Sequence, residues 1–175
     1  AEAILFLFDP SGDPRFRSFL NKGEGTASNK AQRQDILLVE MATRIKRHLG
    51  SKVDGQVNKP IIFGVSKADL IMNHLPEGIS PYVEKSDGAW ALDLSALGEM
   101  SSALRALLVK VVPEMVDTVE SISDDVIYIP VSALGHNPMR EGVRPADIKP
   151  FWVEVPLVYM LSRLGLVSTV SSLVQ

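Results

Sequence analysis

The chain contains no cysteine, which excludes a disulfide framework and thiolate metal sites; it fits a reducing compartment, so a cytoplasmic location is expected. Histidine is scarce as well. His48, His74 and His136 are scattered, no two of them at helical or hairpin ligand spacing, so no metal site is expected. Basic residues show no excess, since 18 Lys and Arg stand against 21 Asp and Glu for a net charge of −3. With no basic stripe interleaved with aromatics, nucleic acid is not an expected partner. Long apolar runs are missing too: Ala103 to Val116 is broken by Arg105, Lys110 and Glu114, and a membrane span needs about 18 apolar residues in a row. Finally, no Gly-x-x-x-x-Gly-Lys-[Ser/Thr] loop occurs. Gly50 and Gly55 have its glycine spacing but lead into Gln56-Val57, without the phosphate lysine or the hydroxyl that holds Mg²⁺.

What remains is ordinary globular composition: 46% hydrophobic and 22% charged residues over 175 positions exclude a disordered chain and suit a compact domain. Ala1 is not an initiator Met, and an apolar strand follows almost at once, so the chain is expected to begin inside a larger protein. Ile4 to Phe8 is a continuous apolar run, the pattern of a strand buried on both faces, stopped by Asp9-Pro10. Asn21 to Lys30 is polar loop, with Ser28 or Asn29 as candidate caps for a helix reaching about Leu49. That helix has apolar Leu38, Met41, Ala42, Ile45 and Leu49, with Gly50 as its stop.

Gly50 to Asn58 connects to a second strand, Ile61 to Val65, and Leu75 to Trp90 reads as an irregular insertion. A helical region over about Ser95 to Ile122 contains Pro113, which predicts a kink or two consecutive helices. A third strand, Val126 to Val131, precedes a Pro- and Gly-containing loop over Gly135 to Pro150. The last helix, about Val153 to Leu164, accepts Pro156 in its first turn and stops at Gly165. The domain is expected over residues 1–165, with a fraying tail over 166–175. Alternating strands and helices predict an α/β fold, a parallel sheet with helices on both faces and ligand-binding loops on the rim at the strands' carboxyl ends.

Two turns on that rim carry chemistry. Lys59 to Leu70, KPIIFGVSKADL, empties a buried strand into Ser66-Lys67-Ala68-Asp69, and Asp125 to Asn137, DVIYIPVSALGHN, ends the next strand in Ser132-Ala133-Leu134. Simpler readings exist: Asp69 is also a good cap for a helix starting near Leu70, and Asp9 before Pro10 is a plain turn residue. Ser132 lacks the flanking glycines of a nucleophile elbow, and no triad is expected. Trp90 and Trp152 adjoin apolar runs and suit packing.

With these two turns in this order, the chain resembles the carboxyl-terminal half of a Ras-like P-loop GTPase domain. The resemblance implies a three-layer, parallel-sheet GTPase-like fold, incomplete at its amino-terminal side. It implies that Asp69 takes guanine N1 and N2, that the Lys67 stem lies along the base, that Ser66 tethers the loops, and that the Ala133 backbone N–H, in the turn with Ser132 and Leu134, takes O6. Ser66 departs from the family's usual Asn, losing an amide that ties neighbouring loops.

Asp9-Pro10-Ser11-Gly12 matches the family's Asp-x-x-Gly, yet residues 13 to 60 show one convincing helix and no apolar strand. Ile4 to Phe8 is therefore better matched to the family's fourth strand. The P-loop and switches would then lie upstream, in a parent that binds GTP or GDP with Mg²⁺ and switches between states, while this chain alone is expected to be inactive, with no catalytic residue. The alternative is a pseudo-GTPase scaffold, an interaction module without hydrolysis. With only three core strands, one apolar sheet edge is open to the missing half, another chain or a second copy.

Overall fold

The computed structural model describes residues 3–21, 34–48, 59–136 and 144–171. In chain order its elements are β1 (Ile4–Phe8), α1 (Pro14–Asn21), α2 (Gln34–His48), β2 (Ile61–Val65), β3 (Tyr82–Glu84), β4 (Trp90–Asp93), α3 (Leu94–Val111), α4 (Pro113–Glu120), β5 (Val126–Pro130), α5 (Val155–Arg163) and β6 (Thr169–Val170). Short 3-10 turns lie at Ala68–Leu70, Met72–His74 and Pro145–Asp147.

The three apolar runs form one parallel sheet in the order β1-β2-β5. All five residues of β2 are buried because it is the central strand, which is why its sequence is apolar without alternation. Phe6, Phe63 and Tyr128 stand in one row across the sheet, with ring centroids 5.3 and 5.5 Å apart. Phe8 meets Phe16 of α1 at 5.4 Å. Aromatic pairs at such distances add about 0.5–1.5 kcal/mol each beyond their burial.

The two outer strands differ in how their edges are treated. Tyr128 N–H donates to Ser101 Oγ of α3 at 2.9 Å, so a helix covers that side of β5. Among the described residues β1 pairs with β2 alone. Its Leu5 and Leu7 are 49% and 56% exposed, so among the described residues one face of this strand lacks the expected helical cover.

Pro113 divides the long helical region as its chemistry requires: α3 ends at Val111, Val112 breaks the helix, and Pro113 starts α4 in its first turn. Asp93 caps α3 by accepting from the N–H groups of Ser95 (2.9 Å) and Ala96 (3.1 Å). Glu120 then binds the Arg105 guanidinium through both oxygens (2.6 and 2.7 Å) and accepts from the Tyr128 hydroxyl (2.9 Å), tying α4 to α3 and β5.

Three expectations need correction. Residues 13–60 hold two helices among the described residues, because buried Asp13 caps α1 through the Arg15 N–H (2.9 Å) and binds the Arg15 side chain, which reaches on to Glu114. The stretch read as an irregular insertion contains β3 and the start of β4, and the tail contains β6. These strands build a second sheet, β3-β4-β6, with β3 antiparallel and β6 parallel to β4. Strands of two to four residues are too short for an alternating pattern to register. Ser28, Asn29, Leu49 and Gly50, expected to bound the second helix, lie outside the described residues. Among the described residues no helix is long and apolar enough to cross a membrane.

Candidate functional site

Parallel register aligns the carboxyl ends of the three main strands, Phe8 beside Val65 beside Pro130, so the segments beginning at Asp9, Ser66 and Val131 emerge on one rim. Main-chain bonds lock them together. Ser66 donates from both N–H (2.8 Å) and Oγ (3.0 Å) to Phe8 C=O. Val131 N–H donates to Val65 C=O (2.8 Å), and Ala68 N–H to Val131 C=O (3.0 Å).

Between these anchors Lys67 adopts the left-handed region, φ 50° and ψ 41°, a conformation that costs a non-glycine residue about 1–2 kcal/mol. Its ammonium donates to Asp9 Oδ2 (2.8 Å) and Ser11 Oγ (2.6 Å). Asp9 Oδ1 in turn accepts from the N–H (2.9 Å) and hydroxyl (2.7 Å) of Ser11. Burial pulls the Asp9 pKa upward, but the hydrogen bonds from Lys67 and Ser11 outweigh it and hold the carboxyl below its ordinary value. Gln34 of α2 brackets the same turn: its Oε1 accepts from Asp9 N–H (3.0 Å) and its Nε2 donates to Asp9 C=O (2.7 Å).

Asp69 lies inside the 3-10 turn, and its carboxylate accepts from the Ser132 hydroxyl instead of capping a helix. Ser132 is buried, and its Oγ also accepts from Gly135 N–H at 2.9 Å. The segment over residues 148–151 pins this second turn, with an isolated antiparallel bridge between Ser132 and Phe151. Ser132 N–H donates to Phe151 C=O (2.9 Å), Phe151 N–H to Ser132 C=O (2.8 Å), and Lys149 N–H to Leu134 C=O (2.9 Å). His136 Nδ1 also donates to Leu134 C=O, at 3.1 Å.

The two turns face a cleft of about 540 Å³, lined by Lys67, Asp69, Ser132, Ala133 and Leu134. Ser66, the remaining residue singled out from sequence, does not line it and sits behind, tied to β1. Helix α1 contributes Arg17 and Leu20 to the lining, and the first turn also contributes Leu70. No family model, curated protein or solved structure matches the chain.

Among the described residues no three His, Asp or Glu side chains gather to hold a metal ion. Both Asp9 oxygens are engaged by Ser11 and Lys67, which ties the Asp9–Gly12 turn to the Ser66–Asp69 turn. The Ser132 hydroxyl donates to a carboxylate and not to a histidine, an arrangement that fixes the serine without activating it.

Gln34 and Arg17 shape the site without being singled out in the sequence, and Asp9 and Ser11 were read there only as turn residues and as part of an Asp-x-x-Gly match. Asp13-Pro14, a capping residue followed by proline, is a helix-start signature, and it would have placed α1 and with it Arg17. Nothing local marks Gln34, whose partner lies 25 residues away.

Proposed function

We propose that this chain is the guanine-reading part of a GTPase-like domain whose phosphate and Mg²⁺ machinery lies elsewhere in the parent protein. The supporting observation is that the SKAD and SAL turns, separated by 63 residues between Asp69 and Ser132, line one cleft and are joined by the bond between those two side chains.

In this reading the Asp69 carboxylate, with lone pairs left beyond the one Ser132 uses, accepts from guanine N1 and N2. The Lys67 stem lies along the base while Asp9 and Ser11 hold its ammonium back. Ala133 N–H donates to O6, and Ser66 ties the first turn to β1. Adenine presents no matching donors, so Asp69 would keep only its bond from Ser132, and the lost base contacts favour guanine by about 1–3 kcal/mol. The parent is a GTP- or GDP-binding, Mg²⁺-dependent switch of the cytoplasm, and its amino-terminal half is the partner for the uncovered β1 strand.

Calorimetric titration of the chain with guanine and adenine nucleotides tests this. Guanine preference in the wild type, lost in Asp69→Ala, is the expected result; equal binding of both bases, or a preference that survives the substitution, overturns it. One observation favours the second reading, a pseudo-GTPase scaffold: Asp69 and Lys67 already have protein partners in Ser132, Asp9 and Ser11, so the rim is satisfied without a ligand. A scaffold would keep its partner binding in Asp69→Ala.

A further inference from the structure

The cleft carries two cationic side chains, and they differ in one respect. Lys67 has its counter-ion in Asp9. Arg17 lines the same cleft from α1, yet its guanidinium forms no hydrogen bond or ion pair among the described residues. Its helical neighbour Arg15 is doubly paired, with Asp13 and Glu114. The acid that lines the cleft, Asp69, is engaged by Ser132 and makes no ion pair with Arg17 among the described residues.

Arg17 is half-buried, and Leu20, Leu70 and Leu134 contribute apolar surface to the same cleft. A guanidinium there is less hydrated than one in open solvent, which strengthens its bonds to an anion. The volume of about 540 Å³ exceeds what a purine needs and falls within the range of pockets that hold whole small ligands.

We infer that Arg17 is the anion-contacting residue of this cleft, binding a phosphate ester carried on the sugar of the ligand whose base the two turns read. The inference rests on the guanine reading and adds to it a phosphate contact independent of any P-loop. The ligand class is then a guanosine phosphate, with a single charge-assisted contact from this chain, and a free nucleoside binds more weakly.

The test is calorimetric titration of the whole chain, without magnesium and at fixed ionic strength, with guanosine, GMP, AMP and inorganic phosphate. A charge-assisted contact of this kind should favour GMP over guanosine by roughly 10- to 100-fold. In Arg17→Ala, GMP affinity should fall to the guanosine level while guanosine affinity stays unchanged, which also shows that the variant is folded. Arg17→Lys, which keeps the charge but not the planar fork, should retain part of the preference. A GMP preference that persists in Arg17→Ala overturns the phosphate contact and leaves the guanine reading standing. If the wild type binds neither guanosine nor GMP, the guanine reading fails and this inference fails with it. Inorganic phosphate binding that matches GMP, with no discrimination against AMP, would reduce the site to a general anion site and overturn the proposal.

Discussion

Gly135 is the residue on which the second turn depends. Its φ is +74°, and a Cβ placed there would lie 1.8 Å from the Lys149 carbonyl oxygen. Since that oxygen belongs to the segment pinning Leu134 and Ser132, Gly135→Ala should lower stability by about 1–3 kcal/mol, read from urea unfolding. An unchanged midpoint would mean that the return segment does not clamp the turn. Asp13 supports a second prediction at this scale. Burial raises its pKa, but the bonds from Arg15 outweigh that and hold it below the ordinary 3.8. A depressed carboxylate stabilises the fold above its unfolded value and stops doing so as pH falls through the folded one. Thermal stability should therefore drop on acidification below about pH 4, and Asp13→Asn should flatten that drop; an identical acid profile for the variant would contradict it. Gly135 follows the second turn in the sequence, whereas nothing near Lys67 marked Asp9 as its partner.

Among the elements, the corner of α3, α4 and β5 depends on Glu120. The Tyr128 hydroxyl is held beneath the sheet's helical cover, and burial followed by its bond to Glu120 raises its pKa well above the ordinary tyrosine value. Glu120→Ala would leave that hydroxyl without its acceptor and should cost about 1–3 kcal/mol by chemical unfolding. Most of this belongs to the tyrosine, because Arg105 is largely exposed and a solvent-screened ion pair adds little. Glu120→Gln, which can still accept from Tyr128, should cost less; equal losses would place the effect in the ion pair. The break between α3 and α4 was legible in Pro113 alone, since a missing N–H and a ring clash act within one turn. Helix α1 is legible in Asp13-Pro14, whereas β3, β4 and β6 carry too few residues to show any period.

For the whole molecule, the open question of assembly lies at β1. Its exposed Leu5 and Leu7 and its single paired side leave apolar surface and backbone donors uncovered among the described residues. Sedimentation at increasing protein concentration should show self-association that Leu7→Lys weakens; one monomeric mass at every concentration would count against it. The sequence by itself determined the three apolar strands of the main sheet, the helix break at Pro113 and the two polar turns, because apolar runs, proline and short polar segments act over a few neighbouring residues; it did not determine that Leu5 and Leu7 of β1 are exposed. Only the tertiary structure decided that Asp69 meets Ser132, that Lys67 meets Asp9, that Gln34 brackets the first turn, and that Arg17 faces the cleft. Those meetings depend on the parallel register of β1, β2 and β5 and on how α1 and α2 pack against them. Long-range geometry of that kind leaves no periodic trace in the chain.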